Sequence, residues 1–336
     1  MPQFGAAELN SMRVILAAGT AEARLKLLSQ CAVTPPNTAT GAPALTGDAN
    51  KDWTKLKVLP AGNRVAYLDL KVSTDVAKKG ALTFDATMAN DTAMGDRIVK
   101  PGCWWLPWQS RHIVKLHIDG LGGPLQDATG QNFQNPGLFF TAALSGCSVF
   151  VRGHMQQPSV YHAGIDGKLF DAGKVKGVFN KTAIKSGKLG SNSANFWRRA
   201  MGGMDVGPGG TKWSGQYKDN LAEVNLNHYV NDKATGTTIN AGGLEKFIRK
   251  NKELYGIDVL AVVPWGCVFG LRFGTVWHFY LQQNATVVYT KAGAPGAQKQ
   301  DAIVLRCDEF YPGVGQADPP KLKTADFDSI TRRLSA

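Results

Sequence analysis

Two cysteine and histidine pairs in the chain have a spacing suited to nucleophilic chemistry. Cys103 lies fourteen residues before His117, and Cys147 lies fifteen residues before His162. A cysteine can attack an amide carbonyl when its thiol is reachable, a base lies within hydrogen-bond distance and a third group orients that base. Because the chain contains 5 cysteines and 6 histidines, pairs with this spacing also arise by chance. The local sequence has to separate them.

The Cys147 pair lies in a segment that predicts a β-hairpin. Strand-like residues at 148–151 and 159–162 are joined by RGHMQQ. If the hairpin is centred near His154 and Met155, Cys147 lies directly opposite His162. Directly opposed side chains share a face of the sheet, with Cβ atoms about 5 Å apart. We therefore expect the sulfur and a ring nitrogen to approach to roughly 3 to 4 Å at the floor of an accessible cleft.

Neighbouring residues could complete such a site. Gly146 permits a tight turn, in which backbone N–H groups of Ser145, Gly146 and the following residue would support an oxyanion. The hydroxyl of Thr141, or a backbone carbonyl within 112–118, could orient His162. The alternative is an inert core cysteine beside a half-buried histidine, which is common for these residue types. For Cys103, the tryptophans of CWWLPW favour packing.

The rest of the chain predicts a strand-rich α+β protein. Short apolar segments bounded by turn residues predict further strands, at 64–72, 112–118, 137–144, 259–263, 267–273, 275–282, 285–290 and 302–307. Helical spacing of apolar residues predicts helices at 20–31 and 244–255, the second ended by Gly256. Many strands and few helices favour a mixed sheet or a sandwich core.

We expect two parts in the chain. Residues 1–50 would form an N-terminal helix and an arm or linker rich in Thr, Pro, Ala and Gly, and residues 51–336 a compact catalytic domain. No signal peptide and no membrane span is recognised in the sequence. The five dispersed cysteines indicate neither a disulfide scaffold nor a zinc site, and favour a reducing compartment.

The charge balance favours an acidic partner. Lys and Arg number 38 against 26 Asp and Glu, for a formal net charge of +12. Many of the basic residues lie in a Gly-, Ser- and Asn-rich segment at 168–199, which is either a solvated loop or a docking segment for an acidic surface. The remaining histidines have no metal-ligand spacing, and no phosphate-binding glycine loop is present. We expect no cofactor and no metal.

The segment from Thr141 to Gly164 resembles the catalytic motif of bacterial glutamine-deamidating toxins. Leu144 to Cys147 reads LSGC, and His162 follows fifteen residues later in VYHAG, which is the spacing of the cytotoxic necrotizing factor catalytic domain. Thr141 also resembles a threonine of the related Burkholderia lethal factor and of chemoreceptor glutamine deamidases. The resemblance implies a sandwich of mixed β-sheets with surrounding helices and long loops.

The resemblance further implies a secreted or injected effector that acts in the host cytoplasm. Cys147 would be the nucleophile and His162 the acid and base in converting a protein glutamine to glutamate, or in transglutamination. The family precedents for the target are a Rho-family GTPase and a translation factor; nucleic acid is not the expected partner. Two other hypotheses stay open: the protein is a cysteine peptidase or peptidoglycan amidase, or it is a non-catalytic basic binding module.

Overall fold

A seven-stranded mixed sheet forms the larger part of the core. The computed structural model describes residues 4–42, 58–60, 64–109, 112–118, 123–126, 130, 132–144, 147–164, 222–230, 239–292, 296–312 and 321–336, with the backbone alone at 58–60 and 226–227. The strands of this sheet are β2 (Val65–Val72), β3 (Leu82–Met88), β4 (Gly102–Leu106), β8 (Leu138–Thr141), β12 (Ile257–Phe273), β13 (Val276–Lys291) and β14 (Gln298–Tyr311). Their order is β14-β13-β12-β8-β4-β2-β3. Only β4 and β8 pair in parallel within this sheet.

A second, five-stranded sheet carries the predicted hairpin. Its strands are β1 (Val58–Pro60), β5 (His112–His117), β9 (Ser148–His154), β10 (Gln157–Gly164) and β11 (Ala222–Val224), in the order β1-β5-β10-β9-β11. The β1 and β5 strands are parallel and the other neighbours are antiparallel. A short ribbon, β6 (Leu125–Gln126) and β7 (Asn132–Phe133), is separate from both sheets.

The two sheets pack face to face through one apolar cluster. The small sheet contributes alternate residues of its strands, such as Val149 and Val160, and the large sheet contributes residues such as Phe139 and Phe279. Alternation follows from the pleat, which sends every second side chain to the same face. Each large apolar side chain buried in this way contributes about 1.5 to 3 kcal/mol. The chain is thus an α+β protein with a strand-rich sandwich of mixed sheets, as predicted.

Helices cover the outer face and one end of the large sheet. They are α1 (Ala6–Ala18), α2 (Ala21–Gln30), α3 (Met94–Val99), α4 (Leu226–Tyr229), α5 (Ile239–Lys250), α6 (Lys252–Tyr255) and α7 (Thr324–Ser335). The α1 and α2 helices pack on the outer face through Leu16 and Leu28, while α5 and α7 pack over the far half of the long strands. No helix within the described ranges is long and apolar enough to cross a membrane.

The predicted division near residue 51 does not separate residues 4–42 from the sheet. Leu28 and Val33 are fully buried in the same cluster as Leu68 and Phe84 of the large sheet. The Gln282 side chain donates to the carbonyls of Leu28 and Cys31 and accepts from the Val33 amide. The N-terminal helices and the start of the predicted arm, at Val33, therefore share a core with the strands. Residues 43–50, part of the predicted linker, lie outside the described residues.

The predicted strands are found, but two pairs of them are merged. The segments 259–263 and 267–273 belong to β12, and 275–282 and 285–290 belong to β13. Pro264 interrupts the sequence pattern of β12, yet the strand continues through it opposite Ala285 of β13, and β8 pairs with β12 only at 269–271. Buried polar residues 282–284 interrupt the pattern of β13, and the side-chain amide nitrogen of each donates a hydrogen bond within the core. The helix at 20–31 is confirmed as α2, and the one at 244–255 as α5 and α6, with Gly256 left-handed at φ 61°.

Candidate functional site

The hairpin forms with a register that differs from the predicted one by two residues. Its turn is centred on Met155 and Gln156, so that His162 lies opposite Val149, two residues after the predicted partner Cys147. Gly153, near the end of β9, has a positive φ of 98°, a backbone conformation that favours glycine. The predicted direct opposition of Cys147 and His162 is therefore wrong.

Cys147 nevertheless faces the same core as His162. A slip of two residues preserves the side of the sheet, because side chains alternate with a period of two. Cys147 belongs to the cluster between the sheets together with Val149, which lies directly opposite His162. Diagonal neighbours across a strand pair lie about 7 to 8 Å apart. The thiol and the imidazole are thus diagonal neighbours at one end of the hairpin.

Thr141 holds the imidazole from the opposite sheet. Its Oγ1 lies 2.6 Å from His162 Nδ1 and 3.3 Å from the carbonyl oxygen of Leu106. Thr141 ends β8 beside Leu106 of the parallel strand β4, so the side chain reaches across the sandwich. When the hydroxyl donates to the Leu106 carbonyl, it accepts from Nδ1–H and leaves the lone pair on Nε2. The proposed orienting contact is made by Thr141 rather than by a carbonyl within 112–118.

The pair is buried rather than open to solvent. Cys147 is 2% exposed and His162 0% exposed. The Nε2 atom of His162 has no hydrogen-bond partner among the described residues, so the expected bond to the sulfur is not made. Burial lowers the pKa of His162 to about 3, and the imidazole is therefore neutral at physiological pH. The expected accessible cleft is absent around these two described side chains because the packed sandwich encloses them.

Tyr229 fixes the backbone of Cys147 and was not singled out from the sequence. Its hydroxyl donates to the Cys147 carbonyl at 2.8 Å. Its ring packs against Gly266, where an added Cβ would lie 2.8 Å from the ring carbon Cγ, and Leu144 bridges to the same glycine. Leu144 and Cys147 are thus both held near β12. A glycine within an apolar strand, which marks close approach of another group, was the available sequence signal.

Trp108 packs beside His162 at the end of β10. A Cβ added to Gly164 would lie 1.7 Å from the indole Nε1, and Gly164 follows His162 on the same face of the strand. The indole is partly exposed, and its N–H has no partner within the described ranges. The predicted packing role of the CWWLPW tryptophans is confirmed for Trp104 and Trp105, which are buried in β4.

The second cysteine and histidine pair is separated by the fold. Cys103 points to the outer face of the large sheet, whereas His117 is exposed on the small sheet and contacts Ser159. Burial also raises the thiol pKa of Cys103 and Cys267 strongly, that of Cys31 to about 11 and that of Cys307 to about 12. These four thiols stay protonated at neutral pH and are poor nucleophiles.

Other predicted features lie outside what the structure describes. Ser145 and Gly146, the predicted oxyanion support, are among them, as is the basic segment 168–199. In the described ranges, no group of three or more His, Cys, Asp or Glu side chains could hold a metal ion. The chain matches no protein-family model, and no curated protein matches it.

Proposed function

We propose that the chain is a protein-glutamine deamidase with Cys147 as nucleophile, His162 as acid and base, and Thr141 as the residue that orients His162. The observation that carries this proposal is the 2.6 Å contact between Thr141 Oγ1 and His162 Nδ1. An imidazole held through Nδ1 keeps Nε2 available for a proton. The LSGC motif ends on a cysteine that shares the same face of the core.

The reaction proceeds through a thioester. His162 Nε2 takes the thiol proton, and the Cys147 sulfur attacks the carboxamide carbon of glutamine to give a tetrahedral oxyanion. Nε2–H then protonates the leaving nitrogen, the carbon–nitrogen bond breaks and ammonia departs. Water, losing its proton to Nε2, attacks the thioester carbon, and the carbon–sulfur bond breaks as the thiolate is reprotonated. Glutamate replaces glutamine; an amine in place of water gives transglutamination.

The proposed reaction requires the site to open. A fully buried imidazole with a pKa of about 3 is a weak base, and a sulfur that is 2% exposed does not reach a protein side chain. Contact with water would raise the pKa of His162 towards its ordinary value, because desolvation is the cause of its lowering. One opening motion would therefore admit the substrate and also restore the basicity that catalysis uses.

The substrate class follows from charge and from the resemblance. The formal net charge of +12 favours a target with an acidic face around its glutamine, and segment 168–199 would supply much of the docking charge. We place the protein among secreted or injected bacterial effectors that act in the host cytoplasm. A Rho-family GTPase or a translation factor is the target class that the family precedents suggest. A glutamine that orients water in a GTPase would, once converted, leave the switch on.

Peptide mass spectrometry of a treated host lysate tests the activity. Wild-type protein and a Cys31→Ser control should convert specific glutamines to glutamates, whereas Cys147→Ser should convert none. Cys31 is a suitable control because its thiol is remote in the chain and is kept protonated by burial. Unchanged glutamines with all three proteins would refute the deamidase. New peptide or muropeptide ends that depend on Cys147 would instead identify a peptidase or an amidase.

Salt dependence separates catalysis from simple binding. A non-catalytic basic module would bind an acidic partner in a salt-sensitive way, and the Cys147→Ser variant would bind that partner as tightly as the wild-type protein does. The burial of Cys147 and His162 is the observation that favours this second function. Binding without turnover would therefore replace the enzymatic proposal.

A further inference from the structure

A positively charged cavity lies at the other end of β4 and β8 from Thr141. Its volume is about 770 Å³, within the range of small-molecule sites. The wall is formed by the junction of α1 and α2, by α3, and by residues 132–137. Arg24, Arg97, Lys100 and Arg272 all line it, and none of the described lining residues is acidic.

Two of these basic residues, Arg24 and Arg272, line the cavity beside Gly137. Beside Gly137, Arg24 Nη1 lies 3.2 Å and Arg272 Cβ 3.7 Å from the position that a Cβ of residue 137 would take. The pKa of Arg24 is lowered, first by burial and then by the charge of Arg272. Like charges held together in a partly buried site repel each other strongly. Such a pair is stabilised when an anion lies beside both groups.

The hydrogen-bonding capacity of the pair is only partly used. Arg24 donates to the Ala17 carbonyl and Arg272 to the Asn135 carbonyl. Arg24 Nε and Arg272 Nη1 have no partner among the described residues. The fold thus positions each guanidinium through one backbone carbonyl while leaving its positive charge without a described carboxylate. This arrangement is typical of a fixed anion-binding group rather than of a structural ion pair.

The other two cations and an apolar rim complete the cavity. Arg97 donates to the carbonyls of Ala89 and Thr92. Lys100 is paired with Asp96 and Asp69 and contributes less net charge. Met94 and Ile98 of α3 line the same cavity and are 50% and 81% exposed. Apolar side chains that remain exposed at a cavity rim suit the organic part of a ligand.

We propose that this cavity binds a small organic phosphate, with the phosphate group beside Arg24 and Arg272 and the organic part against Met94 and Ile98. A dianionic phosphate matches a pair of cations better than a single carboxylate does, and guanidinium groups bind its oxygens in a bidentate manner. The site is separate from the proposed catalytic residues. Gly137 directly precedes β8 and Thr141 ends it, so the two residues lie about 13 Å apart at 3.3 Å per residue.

Titration calorimetry with phenyl phosphate tests the proposal. Inorganic phosphate and benzoate serve as the other two probes, all at one ionic strength set with chloride. Wild-type protein should bind phenyl phosphate at least tenfold more tightly than inorganic phosphate or benzoate. Arg24→Gln should weaken phenyl phosphate binding tenfold or more, as expected for the loss of a charge-assisted contact. The matched control Arg249→Gln removes the same charge from α5, far along the chain from the cavity, and should bind as wild type does.

Several results would overturn the phosphate site. They are absence of phenyl phosphate binding to the wild-type protein, equal binding by Arg24→Gln, and equal affinity for benzoate. If Arg24→Gln does not fold, Arg24→Lys keeps the charge and loses the bidentate geometry, and wild-type affinity in that variant would also overturn it. If the protein binds hexaglutamate and does not bind phenyl phosphate, the cavity is a site for acidic protein segments instead. None of these measurements depends on deamidase activity.

Discussion

Replacing His162 should change how the stability of the protein depends on pH. Burial lowers the pKa of His162 from 6.5 to about 3, because the charged imidazolium loses its hydration in the core. In the unfolded chain the imidazole recovers its ordinary pKa. The unfolded state therefore binds more protons than the native state between these two values. Native stability is full above pH 6.5 and is lost as the pH falls towards 3.

The size of the effect follows from the two pKa values. Each tenfold difference in proton affinity is worth about 1.4 kcal/mol. At pH 5.5 the wild-type protein should lose about 1 kcal/mol relative to a variant without the imidazole, and at pH 4.5 about 3 kcal/mol. The limiting loss, reached below both pKa values, is about 5 kcal/mol. These are large fractions of the usual stability of a folded domain.

Urea denaturation of the wild-type protein and His162→Gln measures this difference. At pH 7.5 the wild-type protein should be the more stable, because it keeps the contact between Thr141 and the imidazole. As the pH falls to 4.5, the gap should shrink by about 3 kcal/mol or reverse sign. His154→Gln is the matched control, since it removes an exposed imidazole from the same hairpin. Its unfolding free energy should run parallel to that of the wild-type protein.

Parallel curves for the wild-type protein and His162→Gln would refute the reasoning. They would mean that the imidazole takes up protons equally well in the native and unfolded states, which a fully buried side chain cannot do. The enclosed geometry of Cys147 and His162 would then be wrong. Such a result would also remove the need for an opening motion in the proposed reaction.

Two further substitutions and one labelling experiment test the surroundings of the site. Thr141→Val leaves the buried Nδ1 of His162 unpaired and should lower the free energy of unfolding by about 1 to 3 kcal/mol, whereas Thr141→Ser should restore it. Urea denaturation measures both variants. An unchanged free energy of unfolding in Thr141→Val would contradict the contact. Gly164→Ala puts a methyl group against Trp108 and should lower the free energy of unfolding by about 1 to 3 kcal/mol. It should also shift the tryptophan emission to the red. An unchanged emission spectrum would argue against the packing of Trp108 on Gly164. Native Cys147 should react with iodoacetamide at least tenfold more slowly than in the urea-unfolded chain, as followed by peptide mass spectrometry, and equal rates would show an open site.

The sequence predicted the face of the candidate site better than its register. The alternation around Val149 and Val160 determines which side chains face the core, and that pattern survives a slip of two residues. The register depends on the position of the turn, which lies at Met155 and Gln156, one residue later than the centre that the spacing argument used. The prediction therefore brought Cys147 and His162 to one face but placed them directly opposite each other, whereas they are offset by two residues along the hairpin.

Long-range contacts explain what the sequence did not show. The segment 32–42 lacks apolar periodicity, because it is held by single bridges, Val33 to Leu82 and Thr40 to Thr87, rather than by a strand of its own. The α1 helix offers only Met12 and Leu16 as buried residues, which is a weak periodic signal. Such contacts exist only once a distant partner is in place, and local pattern does not report them.

Thr141 shows how the two sheets together make the candidate site. Its neighbours Leu106 and Phe140 belong to the large sheet, while His162 belongs to the small one, so the 2.6 Å contact forms only when the sandwich closes. The same closure removes His162 from water and lowers its pKa. Orientation of the imidazole and loss of its basicity thus have one structural cause. A deamidase built on these residues must keep the contact with Thr141 while it opens the side that faces Cys147, so separation of the two sheets, which would break that contact, does not fit the proposed chemistry.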